Sequence, residues 1–186
     1  MKKLSENRTA ALAILIIVAL LAVPVLGGLR LSLAKRSAAR EFSKTVCTPD
    51  RHGNDLYSDT DKLILTAQSM LEEGKKLAGS EPAYDIKQRA ERLEKAISNT
   101  QNAKKAIVRY ESCEALISEA RQFYNSMRGN TSDTLDMYLA DVNSQESRIE
   151  RVYRLAYSAY ADKLEDITSG FPAELIASLY GIGGGR

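Results

Sequence analysis

The chain has 186 residues, length for one modest domain beside a single long apolar segment. Its formal net charge of +2 is split, with 8 Lys/Arg against 2 Asp/Glu in Met1–Val46 and 18 against 22 in Cys47–Arg186. The basic excess therefore lies beside the apolar segment and not on the remaining domain, which speaks against a nucleic-acid groove, and two cysteines are too few for a disulfide framework.

Residues 1–9 form a short tail carrying Lys2, Lys3 and Arg8. Ala10 to Leu29 contains no charge and is rich in Ala, Leu, Ile and Val. About 20 such residues cover a hydrocarbon layer of roughly 30 Å at 1.5 Å per helical residue. Residues 10–33 are thus expected to be a single transmembrane anchor, with the lipid bilayer as partner and the cell membrane as location. The alternative is a cleaved signal peptide, with Lys2-Lys3 as its basic start and Val25-Leu26-Gly27 as the cleavage site; it would release a secreted or envelope-facing ligand-binding bundle beginning near Gly28. Three basic residues precede the apolar run and five follow it, Arg30, Lys35, Arg36, Arg40 and Lys44. That count leans toward a cytoplasmic bundle.

Residues 34–54 are expected to carry the helix out of the membrane through "KRSAAREFSKTV" and to end in the linker "CTPDRHGN", broken by Pro49 and Gly53. Residues 55–182 are expected to be an all-α, up-and-down antiparallel bundle, because apolar residues recur at steps of three and four and nowhere alternate. The first stripe is Leu56, Leu63, Ala67, Met70, Leu71, Leu77 and Ala78, with Asp55, Ser58 or Asp59 as N-cap and Gly79 as C-cap, and Pro82 opening the next helix. The second runs through Ile86, Ala90, Leu93 and Ile97 and on through Ala103, Ile107, Tyr110, Cys113, Ile117, Ala120, Tyr124 and Met127. As one helix, Ala83 to Met127 would span nearly 70 Å, so a break or bend is expected at Ser98 to Asn102. After a turn at Gly129-Asn130, with Thr131 or Ser132 as cap, a last long helix runs to Ser169 on Ile149, Val152 or Tyr153, Ala156, Tyr160, Leu164 and Ile167. Gly170 closes it, Pro172 opens a short helix, and residues 183–186 are a tail.

The candidate chemistry is sparse. His52, the only histidine, lies near Cys47, Asp50 and Asp55 but without paired ligand spacing. Cys113 falls on a stripe, as a buried small hydrophobe would; a bridge to Cys47 is the other reading. "KQRAERLEK" (Lys87 to Lys95) and "QESRIERVYR" (Gln145 to Arg154) read as solvated helix faces. No catalytic, cofactor-binding or metal residue is assigned, and no enzymatic activity or cofactor is expected. A protein partner and a second copy of the chain both remain open.

The C-terminal pattern R-x-x-Y, then F-P, then A-x-x-x-G, here Arg154, Tyr157, Phe171, Pro172, Ala177 and Gly181, together with the N-terminal apolar run, resembles the LemA family. Leu164 stands where that family usually has a second Tyr, and "SDTDKLILTAQSML" replaces the family's early Arg-dLIPnLv motif. The resemblance covers the apolar run and the last 40 or so residues. It implies a single-pass bacterial membrane protein with a helical bundle and no assigned activity. Phe171-Pro172 would then fold back as a lid over the bundle end.

Overall fold

A computed structural model describes residues 27–80, 82–129 and 131–169. These form five helices and no strand: α1 over the described residues 27–46, α2 (Leu56–Ala78), α3 (Tyr84–Asn102), α4 (Ala106–Ser126) and α5 (Asp133–Thr168). The protein is an all-α helical bundle. No helix of the described residues is long and apolar enough to cross a membrane. Of the expected anchor, residues 10–26 lie outside the described residues. Residues 27–33 belong to α1, which continues through Lys35 to Val46.

Helix ends follow local hydrogen bonding. Asp55 caps α2 reciprocally: its carboxylate accepts from Ser58 N at 2.8 Å, and Ser58 Oγ accepts from Asp55 N at 2.9 Å, satisfying two donors that the helix itself leaves open. Gly79 closes α2 with φ of 75°, a left-handed conformation that costs glycine nothing. Pro82 stands before α3, which begins at Tyr84 and has no side-chain cap. Ser132 caps α5 by accepting from Leu135 N at 3.2 Å. The expected break at Ser98 to Asn102 falls slightly later. That segment stays helical, and the chain reverses over residues 103–105.

The chain divides into two compact units. The larger, Glu41–Ser158, contains α2, α3, α4 and parts of α1 and α5. Within it α3 and α4 run antiparallel, because Arg89 bonds Gln122 near one end and Thr100 Oγ1 donates to Ser112 O near the other. Small buried residues, Ala96, Ala103 and Ala106, let this hairpin close tightly. Leu56, Leu63, Met70, Leu93, Leu116, Phe123, Met127, Leu135 and Val142 are fully buried. Each stabilises the fold by about 1.5–3 kcal/mol relative to exposure. The stripe of α4 is rotated from the expected one: Ala106, Arg109, Leu116 and Phe123 are buried, whereas Ile107, Tyr110 and Tyr124 are only half-buried. On α5 the inward residue is Tyr153, and Val152 is exposed. The smaller unit comprises Met1–Arg40 and Ala159–Arg186. Its described residues include the buried Leu31, Ala38 and Tyr160.

One close approach explains a glycine. Gly74, on α2, is buried, and a Cβ built there would lie 2.4 Å from Phe123 Cζ. The absent side chain is what allows the Phe123 ring to sit against the α2 backbone.

Candidate functional site

The interior is not wholly apolar. Asp59, Thr60, Thr100 and Arg109 are buried with the hydrophobic core, a departure from the expected Leu, Ile, Ala, Tyr and Met interior. Thr100 bonds the backbone carbonyls of Ala96 and Ser112, and the other three belong to two polar clusters, both in the larger unit.

The first centres on Asp59, one turn into α2 and fully buried. Its Oδ2 accepts from Arg148 Nε at 2.9 Å and from the Tyr153 hydroxyl at 2.8 Å, both on α5. Its Oδ1 lies 3.7 Å from Lys62 Nζ but accepts no hydrogen bond. Arg148 also donates through Nη2 to Asp50 Oδ2 at 3.1 Å. Asp50 meanwhile accepts the His52 and Asn54 backbone N–H groups on Oδ1, at 2.8 and 2.9 Å, so it shapes the loop as well. The Asn54 backbone bond, helped by that of His52 and by Arg148, holds the Asp50 carboxyl below its usual value. The hydrogen bond to Asp59 raises Arg148, so this guanidinium stays charged. Burial, then the bond to Asp59, pushes the Tyr153 phenol up.

The second cluster is built on Arg109 of α4. Its Nε donates to Thr60 Oγ1 at 2.7 Å, its Nη1 to Gln101 O at 3.2 Å, and its Nη2 to Asp61. The guanidinium lies over the Tyr57 ring, 5.3 Å from the centroid, a cation–π geometry. Tyr57 in turn donates its hydroxyl to Lys104 O at 2.8 Å. One planar fork thereby joins α2, the end of α3 and α4.

A groove of about 390 Å³ lies between α4 and α5. Cys113, Ile117 and Ile149 form its apolar part, and Glu111, Glu114, Glu150 and Arg154 its charged part. One end is aromatic: Tyr110 and Tyr157 stack with centroids 4.7 Å apart, and Phe42 packs its edge on both at 6.0 and 6.3 Å. Tyr110 is raised by burial and, after that, by Glu150. Burial pushes the Cys113 thiol up to about 12, and its Sγ donates to Arg109 O at 3.1 Å. A thiol held neutral in this way is no nucleophile near neutral pH.

Asp50 and Asp55 turn their carboxylates to backbone N–H groups and Arg148. Among the described residues no group of three or more His, Cys, Asp and Glu could hold a metal. Cys47 and Cys113 are both free thiols, so the bridge is not formed. Of the LemA-like pattern, Arg154 and Tyr157 line the groove and Leu164 is half-buried on α5. Phe171, Pro172, Ala177 and Gly181, and with them the lid, lie outside the described residues.

Sequence reasoning missed both clusters. Asp59 reads as a cap and Arg148 as part of a solvated face, yet the two meet. The available signal was position: Asp59 lies three residues after Leu56 and four before Leu63, and Arg109 four before Cys113, so each occupies a place in an apolar stripe. Compared with known proteins, the chain matches no family model, no curated protein and no solved structure.

Proposed function

We propose that this protein is a single-pass membrane protein resembling the LemA family, whose up-and-down antiparallel bundle is a non-enzymatic scaffold contacting another protein at the membrane surface, with the bundle on the cytoplasmic side. The observation that carries this reading is the uncharged run Ala10 to Leu29 between basic flanks. The polar interior is in keeping with a structural role. Asp59 is fully buried and bound to Arg148 and Tyr153, and Arg109 is buried and bound to Thr60, Gln101 and Asp61. Buried charges paired in this way hold helices in one register.

The test is fractionation of the full chain with mass spectrometry of its N-terminus, followed by in-cell crosslinking beside a variant lacking Ala10 to Leu29. Full-length protein released from membranes only by detergent, with crosslinks that require the apolar run, supports the scaffold. Soluble protein beginning near Gly28 sinks it.

The groove between α4 and α5 favours a second reading, a secreted or envelope-facing bundle that binds a small ligand after signal cleavage. Its aromatic end and acidic rim suit a ligand with a cationic group and an apolar body. The trimmed soluble form and a ligand whose binding is lost in Tyr157→Ala would establish it.

A further inference from the structure

The described part of α1 has two unlike faces. Leu31 and Ala38 are buried, whereas Leu29 and Leu33 are 57% and 62% exposed. On the exposed side Leu29, Leu33, Arg36 and Arg40 follow one another at steps of four, three and four, and therefore form one stripe along the helix. Its composition is graded, with two leucines at the end that adjoins the uncharged run and two arginines beyond. Among the described residues neither arginine forms an ion pair with a carboxylate. Single exposed leucines are ordinary on a protein surface. Two on consecutive turns, with arginines succeeding them on the same face, need a partner that changes from apolar to anionic within a few ångströms.

We infer that the Leu29, Leu33, Arg36 and Arg40 face of α1 docks on an anionic phospholipid leaflet, with the leucines at the acyl boundary and in the headgroup layer, the Arg36 guanidinium on lipid phosphates and Arg40 in the attractive field of the anionic surface. The inference rests on the membrane reading above and adds to it a specific surface and a lipid class. Spacing fits the bilayer. Leu29 and Leu33 are about 6 Å apart along the axis, Arg36 lies about 10 Å and Arg40 about 16 Å beyond Leu29. A headgroup layer is about 5–7 Å thick. Arg36 reaches back into it with its long side chain, and Arg40 stands within the roughly 10 Å over which an anionic surface attracts cations. Guanidinium forks bind phosphate oxygens two at a time. Leu31 and Ala38, being buried, fix which face of the helix is left for lipid.

The chain contains no Trp, so a single one reports depth without background. Full-length Leu33→Trp is reconstituted in vesicles of phosphatidylcholine alone or with about one-third phosphatidylglycerol, as in an anionic leaflet, and quenching by brominated lipid is measured. Leu20→Trp, inside the uncharged run, is the control for the anchor. The expected result is deep quenching of Leu20→Trp in both vesicles, with quenching of Leu33→Trp that increases with phosphatidylglycerol. Each arginine should contribute about fivefold to the docked-to-undocked ratio. Arg36→Gln with Arg40→Gln, or salt near 1 M, should abolish the increase. Equal quenching of Leu33→Trp in both vesicles, with Leu20→Trp deeply quenched, overturns the lipid surface alone. An unquenched Leu20→Trp overturns the anchor and the docking together.

Discussion

The Tyr153 hydroxyl lies 2.8 Å from Asp59 Oδ2, joining residues 94 positions apart. Arg148 binds the same oxygen from one turn earlier on α5. A fully buried carboxylate thus ties the first turn of α2 to the middle of α5. Removing either partner leaves the buried Asp59 carboxylate with one hydrogen-bond donor where it had two, and removing Asp59 leaves the Tyr153 phenol without its acceptor and Arg148 with Asp50 alone.

Asp59→Asn is expected to destabilise the fold by about 1–3 kcal/mol, because the neutral amide is the weaker acceptor for a charged donor. Tyr153→Phe should cost about 1 kcal/mol. In urea unfolding the double variant should cost less than the sum of the two, since they share one bond. Strict additivity would show that Asp59 and Tyr153 act independently.

Gly74→Ala should destabilise the protein despite the better helix propensity of Ala, worth at most about 1 kcal/mol. The new methyl collides with Phe123, which is fully buried and has no room to retreat. A net loss of about 1–3 kcal/mol is expected from such overpacking. Thermal unfolding of Gly74→Ala with Phe123→Leu provides the check, because the smaller side chain should recover part of the loss. A Gly74→Ala variant as stable as the parent would mean that α2 and α4 shift apart freely.

Alkali should unfold the protein chiefly through the two groups raised most, Cys113 and Tyr153. Cys113 is raised from 9.0 to about 12 and Tyr153 is raised above 10.0, so the folded state holds both protons longer than the unfolded chain. Their contribution is complete below pH 9 and is lost as pH climbs from 9 toward 12 for Cys113, and above 10 for Tyr153. Urea midpoints measured from pH 8 to 12 should fall, and Cys113→Ala should flatten the part that begins at 9. An unchanged slope in that variant would remove Cys113 as a cause.

Arg109→Lys keeps the charge but loses the fork that reaches Thr60, Gln101 and Asp61 together. A loss of about 2–4 kcal/mol is expected, since a compact ammonium satisfies only part of that set and leaves buried acceptors open. Amide hydrogen exchange should quicken where the fork acts, at the end of α3 and the start of α4. Uniform exchange along the chain would place the effect elsewhere.

Periodicity by itself determined that the chain is helical, roughly where helices begin and end, and most of the α2 and α3 core. These are local matters, fixed by side chains three and four apart, by Asp55 and Ser58 at a cap, and by Gly79 at an exit. The rotation of the α4 stripe toward Arg109 and Phe123, the notch at Gly74, and the meeting of Asp59 with Arg148 and Tyr153 were decided only by tertiary packing. A charged residue on a stripe is stable in the core only where another helix brings its partner, and that partner can lie at any distance along the chain. Helical spacing shows which face a residue shares, but the neighbour facing it is set by how the helices pack.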